Sequence, residues 1–441
     1  MNLKTSIKWL TLLLPALTVF APRAVAQSEL PLTVEQLFEL TEQNNKTLKA
    51  QRTNIQVAER GIEAAKAQRL PDVSTSLSVS YLGDIFMTDR NFSNYKGYSS
   101  PHLGNTFALE ASQVVYAGGA IDAGVRMAEL QKEQAEAECV QTRAGRRFAV
   151  LGQYLDLCKI AHRMKVYEQN IKLTSQLIDD IKAKQQQGLA LKNDITRYEL
   201  QMQTLTLSLT QLSNQRSITN HQLCNALGLD TDVLIVPDDS IARLAYASDG
   251  ENHWQALAAV GAPTLKTYDI RKRMARQQER LTRSEMLPKV AVMAADNFNG
   301  PITTMVPPIN KNLNAWYVGV GVSYSISSLF KNNHSVKQSR LATRQSDELY
   351  AVAADAVNDA VQAAYTAYRQ SYVELETEQK NVQLASQNYD VVNNRYLNQL
   401  ALVTDMVDAS NLKLRAELQE ADARINIVYA YYKLCYLAGT I

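Results

Sequence analysis

The sequence predicts a mainly α-helical chain with a transmembrane β part, and three observations predict it. The chain repeats itself at a fixed offset, it holds two very long proline-free spans with coiled-coil periodicity, and its remaining segments alternate apolar with small polar residues. Together they describe two copies of one unit, each made of two short strands and one very long helical hairpin.

The repeat is visible without gaps. At an offset of 211 residues Asn170 aligns with Asn381, Leu173 with Leu384, Ser175 with Ser386, Gln176 with Gln387 and Asp179 with Asp390. The match runs on through LALKND (Leu189 to Asp194) and LALVTD (Leu400 to Asp405), then Cys224 with Cys435 and Gly228 with Gly439. A second echo, LPDV (Leu70 to Val73) against LPKV (Leu287 to Val290), falls at a slightly different offset. The expected division is a signal peptide over 1–26, a first repeat over 27–228, a linking segment over 229–260 and a second repeat over 261–441.

Proline placement shows what the unit contains. No Pro lies between Pro101 and Pro237, or after Pro308, which permits long uninterrupted helices. Met164, Tyr167, Ile171, Thr174, Ile178 and Ile181 step by threes and fours, and Leu375, Val382, Ala385, Tyr389, Val392 and Tyr396 hold related places in the second copy. That rhythm is a coiled-coil seam. Helices from about Gly119 to Gln187 and from about Asn333 to Asn398 would each be roughly 100 Å long at about 1.5 Å per residue. Each then meets its LAL hexapeptide, read as a tight turn in which Gly188 ends the first helix and Asp194 and Asp405 cap the return helices. The first return helix carries Ile195, Tyr198, Met202, Leu205, Leu209 and Leu212 on one stripe.

At the other end of each hairpin the period changes to two. Val73, Thr75, Leu77, Val79 and Tyr81 alternate with four serines, and Trp316, Val318, Val320, Val322, Tyr324 and Ile326 alternate with Tyr317, Gly319, Gly321, Ser323 and Ser325. One apolar face and one small polar face is the pattern of a barrel strand between lipid and water. Weaker strands near Thr106 to Tyr116 and Val290 to Phe298 complete a pair per copy, joined by loops over about 84–105 and 299–314. Four strands cannot stand alone in a bilayer, because two open edges would leave backbone groups unsatisfied in hydrocarbon. A shared barrel is therefore expected, and the small inner-face residues favour twelve strands from three chains over eight from two.

The ends and composition narrow the setting. Lys4 and Lys8, the apolar run Leu10 to Phe20 and a small-residue AVA at Ala24 to Ala26 have the layout of a cleavable signal peptide. A net charge of +2 with 20% charged residues gives no reason to expect nucleic acid. Cys224 and Cys435 lie at equivalent places in the two copies and Cys139 and Cys158 have no paired spacing, so the four Cys read as buried thiols.

LTVEQLFELTEQNNKTLKAQ (Leu32 to Gln51), QVVYAGG (Gln113 to Gly119), QQGLALKND (Gln186 to Asp194) and the terminal half of the duplication resemble TolC-like outer-membrane efflux proteins, the outer membrane factors. The resemblance covers nearly the whole mature chain. It implies a homotrimer with a twelve-stranded barrel in outer-membrane lipid, continued by a twelve-helix periplasmic tunnel. It also implies two partners, a periplasmic adaptor (membrane fusion) protein and an inner-membrane transporter. The implied role is a passive duct for drugs or other small molecules. Type I secretion or metal efflux is the alternative within that class, and a pore-less periplasmic scaffold or adaptor the alternative outside it. The second junction, SISSLFKNNH (Ser325 to His334), departs by lacking paired glycines, and the segment from about Leu229 to Val260 has no match and reads as a belt around the tunnel.

Candidate site residues follow. Leu189, Ala190, Leu191, Asp194, Leu400, Ala401, Leu402 and Asp405 lie farthest from the membrane and are the expected adaptor-docking tips. Asp390, fifteen residues before Asp405 and roughly 20 Å up the helix, occupies the place where the resemblance implies a constriction ring, and Asp179 is its counterpart. No catalytic residue, cofactor or metal site is expected. Asp179 with Asp180 and Asp238 with Asp239 are adjacent and point apart if helical. The five His are scattered, and Arg271 to Arg283 reads as a solvated or lumen-facing surface rather than a nucleic-acid patch.

Overall fold

The computed structural model describes residues 29–238, 240, 241, 246 and 249–441. The expected signal peptide and Asp239 lie outside them. The first half runs β1 (Glu29–Leu32), α1 (Val34–Asn44), α2 (Lys46–Ala67), β2 (Asp72–Tyr81), β3 (Ile85–Met87), β4 (Lys96–Tyr98), β5 (Leu103–Ala117), α3 (Ala120–Gln186) and α4 (Lys192–Leu227). The second runs β6 (Leu234–Pro237), α5 (Glu251–Gly261), α6 (Pro263–Ser284), β7 (Lys289–Gly300), β8 (Leu313–Ser323), α7 (Ser328–Leu397) and α8 (Val403–Ala438). Both hairpin helices end, both return helices begin and both return helices end at positions 211 residues apart.

The helices stack into four lines. Asn44 and Asn45 donate their side-chain amides to Leu227 O and Ala226 O, at 3.0 and 3.1 Å, so α2 takes over where α4 ends. Asn45 also caps α2, accepting from Thr47 N and Leu48 N. The second copy makes the same splice by close backbone approach. A side chain on Gly439 would run into the Gly261 carbonyl oxygen, and one on Gly261 would lie 2.5 Å from Ala438 O. Both return helices end on left-handed glycines, Gly228 at φ +66° and Gly439 at φ +74°, where Leu229 N and Thr440 N bond back to Cys224 O and Cys435 O at 2.9 Å.

Packing fixes the order of these lines. Helix α3 packs against α2 and α4 on one side and against α6 and α8 on the other, while α7 packs on α6 and α8. The order is therefore α2/α4, α3, α6/α8, α7. The sheet above reads β2, β5, β7, β8. Each strand joins the helix line at the same place in the order, so sheet and tunnel wall are one continuous surface.

The expected seams form. All eighteen seam positions named from the sequence are buried or half-buried. Midway along, a core of Leu37, Leu151, Tyr154, Leu155, Leu223 and Leu227 ties α1 to α3 and α4; truncating one such leucine costs about 2–5 kcal/mol. The 229–260 segment contributes β6, which pairs in parallel with β1, and α5, whose Trp254 packs beside Tyr368 and Leu434. Tyr154 staples this belt, donating to Leu32 O at 2.7 Å and accepting from Asp238 N at 2.8 Å.

Some boundaries differ from the expectation. The last strand ends at Ser323, leaving Tyr324 and Ile326 in a turn closed by Ser328 onto Ser325 O, and α7 starts five residues earlier than expected, at Ser328. The first inter-strand loop is not purely irregular, since β3 and β4 pair within it. Lys192, rather than Asp194, opens the first return helix. All four Cys are thiols, Cys158, Cys224 and Cys435 buried as expected and Cys139 only half-buried on α3.

Candidate functional site: channel wall, hairpin tips and constriction level

Strand register decides what the wall presents. Val73, Ala111, Ala294 and Val318 form one cross-strand row, and Leu77, Phe107, Phe298 and Asn314 another. The rows between them run Ser74, Glu110, Ala295, Tyr317 and Ser76, Ala108, Asn297, Ala315. Alternate rows share a face, so one face of the sheet is mainly aliphatic and aromatic and the other mainly serine, alanine, glycine and asparagine, with Met293, Leu313 and Tyr317 among them. Asp296 is the one charged strand residue on the apolar face, beside Trp316, and accepts from Asn314 Nδ2 at 2.7 Å; Asn314, Thr75, Asn105 and Gln113 are polar residues of the same face. Asp72, Glu110 and Lys289 are the charges on the polar face. The sequence showed this alternation on β2 and β8; only the pairing shows that β5 and β7 keep it in phase.

Both edges of the wall are open. On α7 the exposed residues Leu341, Val352, Val373, Leu384 and Val391 fall within roughly 60° of one line at about 100° per residue. The buried residues of α7, among them Val361, Ala364 and Tyr368, point roughly the opposite way. On α4, Leu200, Leu207 and Ile218 form an exposed stripe within roughly 20° of one line and again opposed to the buried face. Val373 is 63% and Leu200 64% exposed. These stripes point along the wall at each open edge, where periodicity alone had assigned only the inward seams.

The tips repeat in atomic detail. Leu189 N bonds to Lys184 O at 2.9 Å and Leu400 N to Arg395 O at 2.7 Å. Leu191 N donates to Asp194 Oδ2, and Leu402 N to Asp405 Oδ2, both at 3.0 Å. Asp194 and Asp405 thus sit one turn inside their helices and reach back to the preceding backbone, rather than occupying the cap position as expected. Their negative charge still complements the helix N-terminus. The leucines project, Leu191 at 71% and Leu402 at 70% exposure, while Ala190 packs and Ala401 is half-buried.

Behind them the two tips share one core of Ile178, Ile181, Tyr198, Val403 and Met406. Lys184 and Lys413 lie over the rings of Tyr396 and Tyr389, at 4.9 and 4.8 Å from the centroids. Higher up, Arg163 holds Asp422 through two hydrogen bonds, and Asn170 donates to Glu417 at 3.2 Å. These ties between α3 and α8 were not foreseen, since no sequence spacing brings together residues about 250 apart.

Asp390 and Asp179 are exposed, each one residue after a seam position, Tyr389 and Ile178. Burial, and then the charge of Asp390, push the Tyr389 phenol up from its usual range, so its hydroxyl stays protonated. Within the basic stretch of α6, Arg273 pairs with Glu133 at 2.7 Å and Arg283 with Glu279 at 2.6 Å. Among the described residues no cluster of His, Cys, Asp and Glu could hold a metal, and no helix is long and apolar enough to cross a membrane.

A two-faced sheet standing on helical lines, with both edges open, defines one segment of the wall of a membrane-spanning duct. The family model for outer membrane efflux proteins matches residues 37–229 and 254–440, and the chain belongs to that family. It is an outer-membrane protein with most of its length in the periplasm. Solved structures share the fold. The outer membrane protein VceC of Vibrio cholerae is 14% identical with a TM-score of 0.74, over 92% of this chain and 96% of that one. The CmeC outer membrane channel of Campylobacter jejuni is 12% identical with a TM-score of 0.75, over 92% and 85%. The open-state MtrE channel of Neisseria gonorrhoeae is 12% identical with a TM-score of 0.72, over 92% and 88%. Among curated proteins none matches.

The tips differ at one backbone position. Gly188 is left-handed at φ +77°, while its counterpart Gln399 adopts φ +62° with a side chain, at a cost of about 1–2 kcal/mol. Gln399→Gly is expected to stabilise the second tip by about 1 kcal/mol and Gly188→Gln to destabilise the first by a similar amount, read by hydrogen exchange of the tip amides.

Proposed function

We propose that three copies of this chain form a passive outer-membrane duct. Through it an inner-membrane transporter, coupled by a periplasmic adaptor, expels drugs or other small molecules. The observation that carries the assembly is the pair of open edges, continuous from strand to helix and lined by matching apolar stripes. Burying each stripe side chain contributes about 1.5–3 kcal/mol, and closing the strand edges satisfies backbone groups that hydrocarbon would leave unpaired. Three copies supply twelve strands and twelve helical lines. In this reading residues 27–228 and 261–441 are two structural repeats, and 229–260 is the link that wraps the middle of the tunnel. The polar strand face lines a wet lumen and the chain performs no catalysis.

The tips are the docking surface for the adaptor. Two similar turns per chain give six knobs in a ring, each presenting exposed leucines at the end farthest from the sheet. The tunnel narrows above them, where Asp390 forms a ring of three carboxylates with Asp179 near the same level. Asp390 lies about 100° from Tyr389 on the inward seam and about 100° from Val391 on the outward stripe, so it faces neither α8 nor the next copy but one surface of the wall. A lumen-facing ring attracts cations and raises the barrier to anions.

The assembly reading expects a detergent-stable trimer in the outer-membrane fraction, converted to monomer by Val373→Lys with Leu384→Lys; a soluble periplasmic monomer of the unaltered chain overturns it. Photocrosslinkers at Leu191 and Leu402 should capture the adaptor and one at Tyr95 should not, the reverse result placing docking at the wrong end. In planar bilayers Asp390→Ala should weaken cation selectivity and divalent block, whereas unchanged selectivity and block put Asp390 outside the pore.

A further inference from the structure

The junction between barrel and tunnel holds a basic cavity that a single copy builds on its own. Helices α2 and α6 occupy equivalent places in the two repeats, each 22 residues long and each followed by a Leu-Pro dipeptide. Near its end α2 carries Arg60 and Glu63, which pair with each other at 2.6 Å. Helix α6 carries Gln277 and Arg280 at those places, and among the described residues Arg280 takes part in no ion pair, unlike Arg273, Arg276 and Arg283. Arg280, Arg283 and Leu287 face Gly118, Asp122 and Arg126 at the start of α3 around a cavity of about 310 Å³. Because α3 and α6 both stand inside the wall, copies that join at the α4 and α7 edges leave this cavity uncovered.

The cavity opens on the side of the wall that meets lipid. Gln113 pairs with Val292, and Val292 with Val320, in a row of the apolar sheet face. Its side chain donates to Arg69 O at 2.8 Å, and the Arg69 guanidinium pairs with Asp122 at 2.6 Å. Leu287, exposed, forms the part of the cavity nearest β7. Farther from the barrel, the groove between α3 and α6 is lined by Glu133, Val140 and Arg273 and bordered by Val260 of the belt helix α5. Heptad steps carry Arg126 to Glu133 and Arg273 to Arg280, so cavity and belt share the outer surface.

Charge and depth both suit a lipid phosphate. Three guanidinium groups line the cavity against one carboxylate, Asp122, which Arg69 already holds. Arg126 and Arg283 each pair with a glutamate of their own helix, Glu129 and Glu279, at 2.6 Å, and a guanidinium with its several N–H donors has others left to give. Such planar forks match phosphate oxygens bidentately. Arg283 is next to the last residue of α6 and Arg280 lies about 5 Å below it, the depth of a headgroup layer roughly 5–8 Å thick.

Resting on the reading that the apolar sheet face meets lipid, we propose that this cavity binds the phosphate of an anionic phospholipid of the periplasmic leaflet, one per chain. Leu287 receives the start of the acyl chains, an apolar wall that a free phosphate would not need. An ethanolamine ammonium would be set among guanidinium groups, so a headgroup without a cation is preferred. The bound phosphate ties the end of α6 to the start of α3 across the step from barrel to tunnel.

The test uses the full-length protein in detergent, with lipid retention read by native mass spectrometry after mixing with phosphatidylglycerol and phosphatidylethanolamine in equal amounts. The unaltered protein should retain one phosphatidylglycerol per chain in preference to phosphatidylethanolamine. Arg126→Gln with Arg280→Gln should weaken that retention about tenfold or more, while Arg60→Gln, on the equivalent helix α2, should leave it unchanged. All three side chains are exposed, and thermal unfolding checks that each variant keeps its fold. Equal retention of the two lipids, unchanged retention in the double variant, or the same loss with Arg60→Gln overturns the proposal. Displacement of the lipid by an equal concentration of inorganic phosphate assigns the cavity to a soluble anion and overturns it too. A chain that fails to insert into liposomes of either lipid overturns the barrel reading instead.

Discussion

The unsatisfied edge is the constraint on which the rest depends. Strands β2 and β8 each leave a row of backbone donors and acceptors without partners, and in hydrocarbon each such group costs several kcal/mol. A soluble sheet manages an edge with water, charge or a covering loop. A strand that faces lipid has none of these, so the edge must meet another edge. Because every strand here is joined to a helix line at the same lateral position, the helices inherit the same two edges. The apolar stripes on α4 and α7 are then the helical answer to a requirement set in the membrane.

The same lateral order explains where the two repeats stop being equivalent. The first strand-to-helix junction uses Gly118 and Gly119, both left-handed, at φ +61° and +82°. A side chain on Gly118 would come within 2.7 Å of Leu287 Cβ and 2.8 Å of Ser284 O, because β5 and α3 lie inside the wall and abut the end of α6. The second junction, between β8 and α7, lies at the outer edge with no such neighbour. There Ser325 and Ser328 close an ordinary turn by hydrogen bonding, and the sequence is free to drop the glycines.

Periodicity and repetition made much of this fold legible. Proline-free spans with three-four spacing marked the long helices to within a residue or two, except at the start of α7, because helix length and seam burial are local consequences of pattern. The hexapeptides marked the tips for the same reason: Gly188 and the reach-back carboxylates Asp194 and Asp405 act within one turn of chain. The role of the two aspartates was misread by one turn, since a carboxylate three residues into a helix and one at its cap leave similar sequence traces. What pattern could not supply was lateral order. The tie of Arg163 to Asp422, the splice of Asn45 onto Ala226 and the phase of β5 against β7 join residues far apart in sequence, and their geometry exists only once the lines stand side by side. The stripes on α4 and α7 were overlooked because an exposed leucine in a heptad pattern is ordinary by itself. They acquire meaning only when the opposite face is seen to be already occupied.

The tip core shows how repetition and asymmetry work together. In one chain α8 stands between α3 and α7 and buries Val403, Met406, Ala409 and Ala416 in its tip half, while α4, with one flank open, buries fewer residues there, Tyr198 and Leu205. The hydroxyl of Tyr198 has no hydrogen-bond partner although it is inaccessible to water, a condition that disfavours the packed tip by about 1–3 kcal/mol. The core that closes the two tips on each other therefore contains its own opposing term. The apolar burial of Ile181 and Met406 around that phenol holds the two tips together in spite of the one unpaired hydroxyl.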